Sequence, residues 1–392
     1  MKYPRFILFS LLLVVSSGCL KLKVSHDMTP GEGDWAMEGA TVQRQHTAQS
    51  TIDPPLYEQW RYDAGAGTGP SGVLVVNDIV IVGTRKGLVH GMNLSNGKRI
   101  GRIKHDAPIE GGMTVGDGML FVPVAGDKKS VVAYNLRSGK KLWTLKGQPV
   151  EAGLLYTDGK VIAVDRDAHV IAIDATTGEE LWRTLLADRT TVVASPLAIG
   201  DKVYVTDELG SLFALQLQDG QLLWDVGVGA PVYNTATTDG ELIYVPTTRG
   251  RLSAIDASNG QLVWQFALPD SSVRFSTPAY SPAKKQLVVS ATNGEVRSFD
   301  ASSGEVNWMT SLDGAISAAP LFTDQTVYVG TMRKNLHAID ATTGIELWSH
   351  EVTGRVKSAV TGYGNGIIVT AETQMILSFT PDEPEVEGEE TP

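Results

Sequence analysis

The chain has 392 residues and carries 44 Asp and Glu against 33 Lys and Arg, a formal net charge of −11. That balance excludes a general nucleic-acid binder, which needs a basic surface to release counterions. Hydrophobic residues make up 42% and charged residues 20%, the composition of a folded chain and not of a disordered one. A single cysteine, Cys19, excludes an intramolecular disulfide, a Cys-based zinc site and a haem-attachment motif.

In chain order, Lys2 and Arg5 form a basic start and Phe6–Val15 an apolar run too short to cross a bilayer comfortably. Ser16, Ser17 and Gly18 then lead into Cys19. The stretch resembles a bacterial lipoprotein signal, with Ser16 where that pattern usually has Leu. The resemblance implies removal of residues 1–18 and acylation of Cys19, palmitate included. Leu20 after the cysteine implies the periplasmic face of the outer membrane. Residues 19–50 read as a polar tether and leader segment, with Trp35 available to pack on whatever follows.

From there the chain repeats. Ala172-Ile-Asp174-Ala-Thr-Thr-Gly178-Glu-Glu-Leu-Trp182 returns as Ala254…Asp256…Gly260…Trp264 and as Ala338…Asp340…Gly344…Trp348, with looser copies ending at Trp143, Trp224 and Trp308. A degenerate copy places Gly101 in the tryptophan slot, and Trp60 fills one further slot. The slots at 60, 101, 143, 182, 224, 264, 308 and 348 are 39 to 44 residues apart, the length of a four-stranded propeller blade. Eight slots predict an all-β, eight-bladed β-propeller of antiparallel blades over residues 51–380.

Each part of the repeat has a physical reason. Gly accepts positive φ in the third hairpin. Trp, four residues later, can wedge between blades and donate its indole N–H to a carbonyl. Trp60, Trp143, Trp182, Trp224, Trp264, Trp308 and Trp348 are therefore assigned to blade docking. The Asp of Ala-x-Asp reads as a turn cap. Gly101 lacks a wedge, so its interface is expected to be looser. After Trp348 only three strands remain, so the segment around Trp60 is expected to supply the fourth and close the ring. Residues 381–392 carry six acidic groups and are expected to be a disordered tail.

The repeat resembles the tryptophan-docking motif of pyrroloquinoline-quinone (PQQ)-type propellers, and Asp34-Trp35-Ala-Met37 with Gly39 and Arg44 is similar to their leader. The signal, length and blade number together resemble the BamB family of outer-membrane lipoproteins. That likeness implies a non-catalytic protein-binding scaffold beside a BamA-type barrel assembly subunit, with no cofactor and no metal. It also implies a docking loop bearing Leu-x-Leu-Arg. The matching segment Asp188-Arg-Thr-Thr-Val-Val193 lacks that pattern. The alternatives are a PQQ-dependent quinoprotein dehydrogenase-like enzyme and an extracytoplasmic ligand-binding sensor using the axial channel. No nucleophile-elbow, zincin or Walker pattern appears, and the seven histidines are scattered, which suits solvated surface positions.

In a four-stranded blade, the turn between strands two and three and the connection to the next blade share one face. Those loops hold 14 basic against 11 acidic residues. Arg189, Arg274, Arg333 and Arg355, from four different blades, are the expected partner-binding residues, because Arg is enriched at interface hot spots.

Overall fold

The computed structural model describes residues 21–126, 129–187 and 190–384. Cys19, the residues before it, Arg189 and the tail from residue 385 lie outside the described residues. Eight four-stranded antiparallel sheets succeed one another around an axis. Blade 1 is typical: Leu74–Val76, Ile79–Gly83, Leu88–Asn93 and Arg99–Lys104 run from the axis outwards. Blades 2 to 7 begin at Thr114, Leu155, Leu197, Thr237, Ala279 and Leu321. Blade 8 takes its three inner strands from Thr361–Thr380 and its outermost from Tyr57–Asp63, with Trp60 opposite Ser378. The N- and C-terminal parts of the ring thus close it as the missing fourth strand requires.

The inner strands are buried on both faces and read as apolar runs, such as Ile79–Gly83. The outermost alternate, as in Leu222–Gly227. The cores lie between blades. One joins Ile162, Val164 and Ala172 of blade 3 to Val203, Val205 and Phe213 of blade 4, with Trp182 between them.

Six of the seven tryptophans lie on the hairpin glycine of the next blade. A Cβ on Gly178 would sit 2.5 Å from Trp143, and one on Gly220 2.4 Å from Trp182. The same glycines hold φ of +77° and +72°, so the repeat needs glycine there twice over, for the turn and for the ring above it. The indole N–H of Trp60, Trp143, Trp182, Trp264 and Trp308 donates to the next blade at 2.7 to 2.9 Å. Trp348 has no such glycine ahead, because blade 8 is closed by the N-terminal strand. It stacks on His350 instead. The repeat Asp caps its turn: Asp174 Oδ1 accepts from the Thr176 and Thr177 amides and the Thr177 hydroxyl.

Two expectations need correcting. The Gly101 interface is not left loose. Leu22, 1% exposed, enters where a tryptophan would stand, and a Cβ on Gly101, Gly91 or Gly139 would strike the Lys21–Leu22 segment. Lys21 pairs with Arg102, and the Val24 amide donates to Leu136 of blade 2. Nor are residues 21–50 a free tether. From the outer edge of blades 1 and 2 the leader crosses one face, where His26 meets Asp78 and the Asn77 side chain donates to the Asp27 carbonyl. It then descends into the axis.

Candidate functional site

Inside the axis the leader visits the innermost strands in turn. Trp35 pairs with Val75 of blade 1, and the Val115 amide of blade 2 donates to Ala36. Amides of Ala198, Thr238, Tyr280 and Phe322, in blades 4 to 7, donate to Val42, Gln43, Gln45 and His46. Ala48 reaches the first strand of blade 8, where it would meet a Cβ on Gly362. Following a ring of edges takes tight turns. Ala40, Arg44 and His46 all adopt positive φ, and a Cβ on Gly39 would come within 2.7 Å of the Arg44 backbone.

Arg44 pins this coil. It is fully buried, and its guanidinium donates to the carbonyls of Pro196, Leu154 and Glu38, each at 2.9 Å. Burial lowers its pKa to about 10, against the attraction of Glu38. The Glu38 carboxylate accepts from the hydroxyls of Ser195 and, at 3.1 Å, Thr235. Above it a recess of about 50 Å³ opens to the loop face, lined by Ser, Thr and Gly from the connections and by the carboxylates Glu38, Glu110 and Glu151.

His46 sits beside Trp35, wholly buried. His90 and His105 are also buried, against Tyr62 and Tyr134, and His337 against Glu346. These four correct the expectation of surface histidines, since each lies on or beside a strand whose side chain turns between blades or into the axis. Burial lowers the pKa of His46, His90 and His105 to about 4. Between that value and the unfolded value near 6.5, the unfolded chain binds protons that the folded chain refuses, so stability is complete above the window and falls as pH drops through it. The thermal unfolding midpoint should be level from about pH 8 to 7 and several degrees lower by about pH 4.5. A midpoint unchanged down to that pH would contradict neutral burial of these rings.

The loop face is the other candidate surface. Hydrogen bonds such as Thr292 N to Arg274 O and Glu372 N to Arg355 O tie each turn to the neighbouring connection. Its charges are mostly paired: Arg85 with Glu110, Lys129 with Asp106, Arg166 with Glu151, and Lys357 with Glu372. Arg333 and Arg355, taken from sequence as docking residues, are engaged by Asp313 at 3.3 Å and Glu372 at 2.6 Å. Arg274 is exposed and has no carboxylate partner among the described residues. Two residues absent from the sequence expectation stand out beside it. Leu209 is 63% exposed at the blade 4 turn and Tyr233 46% exposed in the connection to blade 5. Amides bind these loops together, Glu208 to Thr191 and Val232 to Asp207. An apolar residue inside the turn Glu208-Leu209-Gly210 was the one available signal.

The arrangement offers an apolar and aromatic contact with an arginine nearby, on a rigid ring. Among the described residues no group of three or more His, Cys, Asp or Glu is gathered as metal ligands are.

A family model described as "Outer membrane protein assembly factor BamB" matches residues 51–153, 85–237, 127–293 and 292–385. The assembly factor BamB of Shewanella oneidensis is 26% identical over 190 residues, 43% of this chain and 46% of that protein, so the match spans about half the relative's length. Among solved structures, BamB from Moraxella catarrhalis superposes with a TM-score of 0.68 at 19% identity, covering 83% of this chain and 100% of that one. A quinohemoprotein alcohol dehydrogenase of Pseudomonas putida superposes with a TM-score of 0.77 at 13% identity, covering 92% and 82%. At those identities both structures share the propeller fold and nothing finer. With its repeats matched from residue 51 to 385, the chain belongs to the family of the outer membrane protein assembly factor BamB.

Proposed function

We propose that this chain is a non-catalytic scaffold for outer-membrane β-barrel assembly, anchored by acylation at Cys19 and facing the periplasm, and that it docks a BamA-type barrel assembly subunit. The observation that carries the reading is the filled axis. Residues 35–48 occupy the centre of the ring, and the remaining recess of about 50 Å³ is far below the ~300–1,000 Å³ typical of small-molecule sites. Function then falls to the outer surfaces. The loop face supplies Leu209 and Tyr233 as apolar contacts, with Arg274 as a cation on the same face. Arg189, outside the described residues, joins this docking set by its place in the sequence alone. Arg333 and Arg355 serve at its rim, where exposed charges tune association more than affinity. The domain division follows the same reading: signal to residue 18, leader to residue 50, propeller to residue 380, and an acidic tail.

The test is capture of the barrel assembly subunit from native membranes. Tyr233→Ala with Arg274→Glu should reduce capture at least about tenfold, the effect of losing an anchor worth ~1.4 kcal/mol or more. Lys202→Glu with Lys285→Glu, on the opposite face, should leave it unchanged. Equal capture by both variants would overturn the face assignment. PQQ-dependent dye reduction by the purified chain would overturn the non-catalytic reading. Replacing Cys19 with Ser should move the chain to the soluble fraction after a wash near ~0.5 M salt, and unchanged membrane fractionation under that wash would remove acylation as the anchor.

A further inference from the structure

Charge is divided sharply around the outer rim of the propeller. The outer hairpins of blades 1 and 2, Leu88–Lys104 and Lys129–Leu145, carry eight Lys and Arg and no Asp or Glu. The outer hairpins of the other six blades carry 14 Asp and Glu and four Arg. On a chain at −11, one quarter of the rim is therefore strongly basic. Lys98, Arg99, Lys104, Arg137, Lys140 and Lys141 are all exposed. The few acids nearby are already occupied: Asp106 holds Lys129, Asp78 holds His26, and Asp27 caps Thr29.

The leader segment Lys21–Val24 lies on the same edge. Lys21 pairs with Arg102 on the outermost strand of blade 1, and Lys21 and Lys23 add two more exposed cations to the same edge. Leu22 is buried between the blades, so the leader has no slack at this point. From Cys19 to Leu22 is three residues, at most ~11 Å of extended chain. Beside the edge, between blades 2 and 3, opens a recess of about 720 Å³ with Lys129, Lys141, Lys146, His169 and Arg183 on its walls, together with Asp165, which engages Arg183 and His169.

We propose that the basic edge of blades 1 and 2 rests on an anionic lipid headgroup surface, so that the propeller stands rim-down on the membrane with the recess between blades 2 and 3 receiving headgroup phosphates. Cationic side chains bind such a surface without a fixed geometry, and several must act together within about 8 Å of it at physiological salt. The edge meets that need because its cations come from two adjacent hairpins and the leader. The six acidic hairpins would be repelled by the same surface, which selects this edge over the rest of the rim. The proposal uses the anchoring reading only for why the chain's entry point lies at the membrane.

The test adds the intact chain to preformed vesicles and acetylates lysines briefly, with modification read by peptide mass spectrometry. On vesicles of phosphatidylglycerol and phosphatidylcholine, Lys98, Lys140 and Lys141 should react at least ~3-fold more slowly than on pure phosphatidylcholine, and salt near ~0.5 M should abolish the difference by screening. Lys285 and Lys334, exposed on blades 6 and 7, should react equally on both. Equal rates at the edge lysines, or equal protection of Lys285 and Lys334, would overturn the proposal. Protection seen only on native membranes and lost after protease treatment would assign the edge to an acidic protein and overturn the lipid assignment. The anchor fails separately: if the Cys19→Ser chain stays with membranes through a wash near ~0.5 M salt, which releases the edge by screening, while the edge lysines are protected on anionic vesicles at low salt, acylation is wrong and the edge stands.

Discussion

Trp182→Ala should destabilise the protein by about 3–5 kcal/mol, the range for truncating a buried tryptophan. Its ring lies in the core joining blades 3 and 4, 9% exposed, against Gly220. Truncation removes that packing and the 2.9 Å bond from its indole to Leu217. The cavity cannot close readily, because Gly220 is held by the hairpin and its φ of +72°. Trp182→Phe keeps much of the area and loses the donor, so it should cost less. Denaturant titration showing a loss below ~1 kcal/mol for the alanine variant, against that same range, would contradict the wedge role.

Arg44→Met should cost about as much, ~3–5 kcal/mol, for a different reason. The guanidinium serves three carbonyls contributed by the leader itself and by the loops preceding blades 3 and 4. Without it those acceptors stay buried without donors, and the Glu38 carboxylate loses the positive charge that faces it. Arg44→Lys cannot restore the loss, since one ammonium does not reproduce a planar fork. Glu38→Gln in the Arg44→Met background should recover part of it, because the two groups are coupled. Arg274→Met, on the exposed face, should lie within ~0.5 kcal/mol of wild type. Equal stability of the Arg44 and Arg274 variants would mean that the leader does not hold the axis.

The ring was legible in the sequence because one physical need recurs at six of its interfaces. There the hairpin glycine of one blade must meet the tryptophan of the blade before it, so the period of the glycine and tryptophan slots reports the blade and the count of slots the ring. Closure followed from arithmetic on strands, since three after Trp348 left Trp60 without a sheet. The leader was not legible. Trp35, Met37, Val42 and Ala48 have no common period, since the segment touches a different blade every residue or two and is held by backbone bonds that no side-chain pattern announces. Leu22 was hidden for a related reason: the gap it fills at Gly101 lies nearly eighty residues away in sequence. On the loop face, composition supplied the charges but not their pairing. Arg333 and Arg355 turned out to be engaged by acids of neighbouring loops, while Leu209 looked like a turn residue and is exposed.

The proposal that this chain serves barrel assembly is tested most directly by the amount of folded β-barrel protein in the outer membrane of its own cells, read by heat-modifiable migration. Removing the chain should lower that amount, and the wild-type chain should restore it. The Tyr233→Ala, Arg274→Glu variant, present at the same level and equally stable, should restore it poorly. Folded barrel levels that do not change on removal, or that the face variant restores as fully as wild type, would contradict the account.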